Sequence, residues 1–197
     1  MGLFDRVRPI KHGERIDLEL YDASHQARWV AVRSASRDFI APWEPEWDRG
    51  SDKPHAFRAR MKLHQDEWKQ KRGLGLLMVL NTEEERPVVG GISISNIRLG
   101  VNMSATLGYW TGVEYTRRGY MFEGLNLALD FCFNSLRLRR IEAATMLNNE
   151  PSMALLKKLG FQPEGVAREM LCINGRWEDH RRFSLLYSDP RNTAQSP

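Results

Sequence analysis

A chain of 197 residues, 42% hydrophobic and 27% charged, can bury one sizeable core, so a single domain over residues 1–188 with a flexible tail at 189–197 is expected. No apolar run reaches membrane-spanning length, and the start, with Asp5 among several arginines, has no signal-peptide core; a cytoplasmic protein without a membrane partner follows. The net charge of +4 and pI near 9.2 favour anionic ligands, but the arginine clusters at 137–140 and 176–182 lack the interleaved aromatic spacing of a single-strand binding platform, so sequence-specific nucleic-acid binding is not expected.

Taken in chain order, hydrophobic periodicity predicts a strand at 15–21, helices at 23–35 and 54–71, and a loop at 39–52 between them. Strands follow at 74–80, 88–97 and 104–110, with turn signals at 81–87 and 100–102 that suit an antiparallel meander. A helix over 118–136 carries apolar residues at spacings of three and four. A strand at 140–146, a short helix at 153–159 and a hairpin of 167–173 and 176–186 complete the order, Asn174-Gly175 being suited to a type I′ turn.

The run Arg117-Arg118-Gly119-Tyr120-Met121-Phe122-Glu123-Gly124 stands where a strand gives way to a helix. Free amides and the positive end of the helix dipole point out of such a start, so a pyrophosphate can dock there. Gly119 allows close approach, and Arg117 and Arg118 add donor forks suited to phosphate. By itself the run also fits a solvated, well-capped helix start. No GxxxxGK[ST] occurs, which argues against a nucleotide hydrolase.

Downstream, Asn149 is placed to cap the short helix, Pro151 suits its first turn, and Gly160 suits a left-handed stop. With this element the chain resembles the GNAT N-acetyltransferases, through Asn149-x-x-Ser152 and Leu159-Gly160-Phe161 beside the phosphate run. A nearer likeness is to the RimJ-type ribosomal-protein-alanine branch of that family. It rests on Pro42-Trp43-Glu44-Pro45, Gly119-x-Met121-Phe122-Glu123 and Asn174-Gly175-x-Trp177-x-Asp179-His180, which together span most of the chain. The family's phosphate signature reads Arg/Gln-x-x-Gly-x-Gly/Ala; Thr116 and Met121 occupy its first and last places here.

The resemblance implies an α+β GNAT fold, a mixed, mostly antiparallel twisted sheet flanked by helices. It implies acetyl transfer from acetyl-CoA to a primary amine by direct attack in a ternary complex. The acceptor it suggests is the N-terminal α-amine of a ribosomal protein, with possible association with the ribosome itself; a small amine such as a polyamine or aminoglycoside, or a non-catalytic acyl-CoA-binding or ribosome-associated module, is the alternative. For the cofactor it implies Val113, Arg117, Arg118, Gly119, Tyr120, Met121, Phe122, Asn149 and Ser152. Ser152 would stand near the departing thiolate, or be an ordinary helix-start hydroxyl; Asn149 would bind the pantetheine arm, cap its helix, or both; Tyr120 is a second possible acid. Glu142 and Glu169 are the candidate bases, each also readable as a surface carboxylate. The RimL branch carries its hairpin carboxylate where this chain has Leu171, and strand alternation puts Glu169 on the same face.

For the acceptor, Trp43 and Glu44 in the acidic, tryptophan-rich loop can grip and attract a cationic N-terminus or simply pin the loop, and Tyr109 and Trp110 can line the tunnel or be core. Cys132 and Cys172 lie among apolar neighbours and read as packed, reduced thiols. The five histidines are scattered, so no metal is expected, and without GxSxG or a Cys-His signature no covalent acetyl-enzyme is expected.

Overall fold

A computed structural model of the chain describes residues 11–192. Strands β1 (Lys11–His12) and β2 (Ile16–Leu20) lead into helices α1 (Gln26–Ala35), α2 (Arg37–Ile40) and α3 (Pro54–Lys69). The meander β3 (Leu74–Leu80), β4 (Val88–Arg98) and β5 (Ser104–Thr111) follows, then α4 (Tyr120–Asp130), β6 (Arg140–Met146), α5 (Glu150–Lys158), β7 (Gln162–Ile173) and β8 (Arg176–Leu186). They form one eight-stranded sheet in the order β1-β2-β3-β4-β5-β6-β8-β7.

The sheet is covered on both faces, and β3 shows why: its sequence LGLLMVL is apolar without alternation and all seven residues are buried. Leu74, Leu76 and Met78 enter a first core with α4, whereas Leu77 and Val79 enter a second core with Trp29 of α1 and Phe57 of α3. Strand alternation thus sorts adjacent residues into separate layers.

All neighbouring strands are antiparallel except β5 and β6, which α4 connects as a crossover. That parallel pair has a short register, Ser104↔Arg140, Ala105↔Ile141 and Thr106↔Glu142. Beyond it β5 stays bonded to β4 as far as Thr111↔Gly90, and β6 stays bonded to β8 as far as Met146↔His180. Each strand keeps its outer partner, so residues 107–111 and 143–146 part with unpaired inner edges. A wedge opens in the middle of the sheet.

Several boundaries differ from expectation for local reasons. The helix expected from 118 starts at Tyr120, because Arg117 (φ 60°) and Gly119 (φ 79°) are both left-handed, and it ends in a π turn over Phe131–Ser135. The first turn of α1 tightens into a 3-10 segment at Ala23–His25 under an Asp22 cap, and residues 39–43 of the expected loop fall in the short helical turns Arg37–Ile40 and Ala41–Trp43. The Asn174-Gly175 turn has positive φ at both residues (45° and 78°), as a type I′ turn requires. Cys132 is buried, but Cys172 is exposed, a correction to its packed reading: β7 is an edge strand on which Ile173 alone is fully buried. Of the expected tail, residues 189–192 are described, with Asp189 accepting from the Leu186 amide and Arg191 pairing with Asp130; residues 193–197 lie outside the described residues.

Candidate active site

The start of α4 lies just past the wedge. Its first in-helix bond runs from the Glu123 amide to the Gly119 carbonyl, so the amides of Tyr120, Met121 and Phe122 point out of the helix end. The side chains of Met121 and Phe122 are buried in the core, which leaves their main chain as the part that a ligand can meet. Arg117 and Arg118 flank these amides within the left-handed bend. Val113 offers an exposed side chain, since its amide donates to Ser36 Oγ (2.9 Å) and its carbonyl accepts from Thr116 Oγ1 (2.9 Å).

Across the wedge, α5 starts immediately after β6. Asn149 caps it, Oδ1 accepting from the Ser152 amide at 3.2 Å. The Ser152 hydroxyl lies 2.7 Å from the Tyr109 hydroxyl on β5, and either can donate. This bond spans the gap where β5 and β6 have separated. Burial pushes the Tyr109 phenol up to about 12 against the opposing pull of Ser152, so it remains a proton-bearing donor at neutral pH. The structure therefore brings Tyr109, Asn149 and Ser152 together.

It does not bring the two candidate bases to them. Ala105 and Ile141 are register partners that both enter the first core, so the next pair, Thr106 and Glu142, points to the opposite face of the sheet from Tyr109. There Glu142 is bonded by Arg140 Nε (2.9 Å) and approached by Arg182 (3.7 Å). Glu169 is exposed on the outermost strand, with β8 between it and β6. Its φ of 45° falls within a register shift between Ala167 and Leu171, so the alternation that was to align it with Leu171 is broken. Its amide donates to Asp179 Oδ1 (2.8 Å), which gives Asp179 of the hairpin motif a role in holding the bulge.

The acceptor loop is built differently. Trp43 is 37% exposed, but Glu44 is not available to attract an amine: its two oxygens accept from Arg33 Nη1 (2.9 Å) and Nη2 (2.7 Å), and Trp47 Nε1 adds a bond at 2.9 Å. Burial would raise the Glu44 carboxyl, but the hydrogen bond and charge of Arg33 outweigh it and, with Arg60, hold it below the usual range. The expectation that Glu44 receives the substrate's charge is corrected accordingly. Trp110 packs into the second core beside Arg33, whereas its neighbour Tyr109 packs against the first. One strand thus presents a hydroxyl to one face and an indole to the other.

The family model described as an acetyltransferase (GNAT) domain matches residues 15–162. The [ribosomal protein uS5]-alanine N-acetyltransferase of Escherichia coli (strain K12) is 34% identical over 176 residues, 89% of this chain and 90% of that protein. The chain belongs to the GNAT acetyltransferase family. Among solved structures, the ribosomal-protein-S5-alanine acetyltransferase of Vibrio fischeri superposes with a TM-score of 0.82 at 29% identity, covering 91% of this chain and 97% of that one. Mycobacterium smegmatis RimJ, solved in complex with CoA-disulfide, superposes with a TM-score of 0.81 at 29% identity, covering 87% and 81%. This chain is a GNAT N-acetyltransferase with RimJ-like relatives, and GNAT enzymes draw the acetyl group from acetyl-CoA.

Sequence reasoning missed what steadies the start of α4 in this GNAT enzyme. Buried Glu123, in the first turn of α4, accepts from the amides of Arg15 (2.7 Å) and Ile16 (3.0 Å) and from Arg15 Nε (3.0 Å). Arg15 Nη1 then donates to the Arg118 carbonyl (3.1 Å), and its guanidinium covers the Tyr120 ring at 5.0 Å. The signal was a carboxylate inside an otherwise apolar helix face, a position that demands a partner. Among the described residues no His, Cys, Asp and Glu side chains are grouped to hold a metal, and no helix is long and apolar enough to cross a membrane.

Proposed function

We propose that the protein transfers the acetyl group of acetyl-CoA to the N-terminal α-amine of a protein, a ribosomal one as in its uS5-alanine relatives. The observation that carries this reading is the Tyr109–Ser152 hydroxyl pair, 2.7 Å apart across the wedge, with two arginine-bound or exposed carboxylates placed elsewhere. Such a site supplies a proton but offers little to remove one. An α-amine, with a pKa of about 7.7 to 8.0, is roughly a tenth neutral at pH 7, whereas a lysine amine near about 10.4 is almost wholly charged. The acceptor that asks least of a base fits best.

Acetyl-CoA would supply the activated thioester. The amides of Tyr120, Met121 and Phe122, with Arg117, Arg118 and Gly119, would hold its pyrophosphate, and Asn149 and Val113 would flank the arm. The amine lone pair forms the new C–N bond, the C–S bond breaks, the sulfur takes a proton from Ser152 Oγ that Tyr109 relays to it, the amine gives its surplus proton to water, and Tyr109 regains its proton from water. Tyr120, at the helix start with Arg15 over its ring, serves as a binding residue in this reading. Trp43 and Trp110 belong to the acceptor side.

Acetylation of an Ala-start peptide tests the reading against the same peptide blocked at its N-terminus but carrying an internal lysine, and against spermidine and an aminoglycoside. Mass spectrometry should find acetyl on the free α-amine only. Turnover of the blocked peptide or of a polyamine in preference would overturn it, and silence with every amine would favour a binding module.

A further inference from the structure

Arg33 is a fully buried arginine, and it is not part of the acetyl-transfer chemistry. Its guanidinium lies 4.2 Å from the Trp47 ring centre, 4.9 Å from that of Trp110 and 5.5 Å from that of Trp29, while both terminal nitrogens bond to Glu44. A buried charge of this kind is costly unless matched, and here the match is to Glu44 of the 41–47 loop through both terminal nitrogens, with Arg33 Nε left without a hydrogen-bond partner. The loop's hold reaches further: the Glu44 carbonyl accepts the amide of Asn174, the first residue of the β7–β8 turn, at 3.0 Å. One turn along, Ser36 at the end of α1 takes the Val113 amide. The last turn of α1 is therefore tied to the 41–47 loop, the end of β5 and, through Glu44, the hairpin turn.

We propose that Arg33 is a positioning residue for the acceptor: its two-pronged bond to Glu44 fixes the 41–47 loop and the β7–β8 turn as one wall on the Trp110 side of β5. The inference rests on the acceptor-side reading above and adds to it a single anchor. Arginine is required because it alone combines a planar face for the indoles with two parallel donors; lysine retains the charge but gives one bond and no stacking.

The test uses the full chain with Arg33→Lys and, to guard against a misfolded single variant, the paired change Arg33→Met with Glu44→Met, which removes both buried charges at similar volume. Hydrogen exchange should quicken in both 41–47 and 173–176 while residues 120–130 are unchanged. With whichever amine the wild type acetylates best, KM for the amine should rise about tenfold while kcat and CoA affinity stay within about twofold. Exchange that quickens in the loop but not in the turn would overturn the proposal. So would unchanged amine KM despite loosening, or a paired variant that restores wild-type KM, because apolar filling would then suffice. A wild type that acetylates only small amines refutes the peptide reading, and the same KM measurement on the small amine still decides the role of Arg33.

Discussion

The proposed cofactor side and the proposed acceptor side of this protein meet at adjacent residues of one strand, Tyr109 and Trp110, yet they are constructed by opposite means. On the cofactor side the groups offered to a ligand are main-chain amides at the start of α4 and hydroxyls at the start of α5, held by helix geometry and by Glu123 beneath. On the acceptor side the groups are indoles and a loop held chiefly through Glu44, which Arg33 bonds twice, Arg60 approaches at 3.9 Å and Trp47 bonds once. Main-chain sites tolerate side-chain change except where backbone conformation itself is special. Side-chain walls can be altered residue by residue, which suits the half of an acetyltransferase that must distinguish substrates.

The largest effect should therefore come from the one glycine on the proposed cofactor side whose backbone conformation a β-branched residue cannot adopt without strain. Gly119 has φ 79°, and a Cβ there would meet Arg15 Nη2 at 3.3 Å. Gly119→Val should weaken CoA binding on the order of a hundredfold, through strain and obstruction of the amides, while the peptide binds to the acceptor side as before. Arg118→Ala should cost less and chiefly at low salt, because its contribution is charge. Calorimetric titration with CoA checks both; equal affinity in two folded variants would move the pyrophosphate elsewhere.

Next in size is the hydroxyl pair. Ser152→Ala should lower kcat about a hundredfold and change CoA affinity little, since a proton donor matters as the thiolate forms. Tyr109→Phe should lower kcat about tenfold by removing the replenishing proton. Because burial holds the Tyr109 phenol up at about 12, its donor proton is lost only as pH rises toward that value; kcat/KM for an Ala-start peptide should climb from pH 6 to about 8 with the neutral amine and show no falling limb below about pH 10. A falling limb near pH 8 that vanishes in Tyr109→Phe would show that the phenol is not raised, and a Ser152→Ala enzyme with full turnover would remove the pair from the chemistry.

The contrast between the two sides also explains what could be read without coordinates. Periodicity placed β3, whose seven buried residues need no partner information, and the capping signals at Asn149 and Gly160 (φ 99°) located α5 because they act within a few residues. The start of α4 after Gly119 was legible to within two residues for the same reason: a glycine before a helix is a local statement. Glu44 was misread because the residue that claims it, Arg33, lies eleven positions earlier on a helix face that periodicity alone marks as polar. Glu169 was misplaced by a bulge, which shifts every later side chain and leaves no fixed mark in sequence. The wedge itself was invisible, since it depends on which edges of β5 and β6 go unpaired.

On the acceptor side a smaller, selective effect is expected. Trp43, 37% exposed on the loop that Arg33 holds, should contribute contact area to the peptide rather than to the fold. Trp43→Ala should raise the peptide KM about fivefold, equivalent to about 1 kcal/mol, with CoA affinity intact. If melting temperature falls and peptide KM does not move, Trp43 is a peg for the loop, and the acceptor side loses its exposed contact.

The smallest effect sharpens the comparison most, because it asks whether a carboxylate on the Trp110 face takes part in the chemistry. Glu142 is bonded by Arg140 and approached by Arg182, and Arg140 in turn pairs with Glu164, whose carboxyl it holds down to about 2. Both guanidiniums engage the Glu142 carboxylate, which points away from the Tyr109–Ser152 pair. Glu142→Gln keeps the shape and loses only part of a half-exposed ion-pair network, a change worth less than about 1 kcal/mol of stability. Turnover of the Ala-start peptide should stay within about twofold of wild type, with the rising limb of its pH profile still set by the amine. A tenfold loss of kcat accompanied by a shift of that limb would make Glu142 the base. Glu142 and Trp110 share a face of the sheet, so the amine would then lose its proton to a carboxylate on the proposed acceptor side while the sulfur gains one on the Tyr109 side.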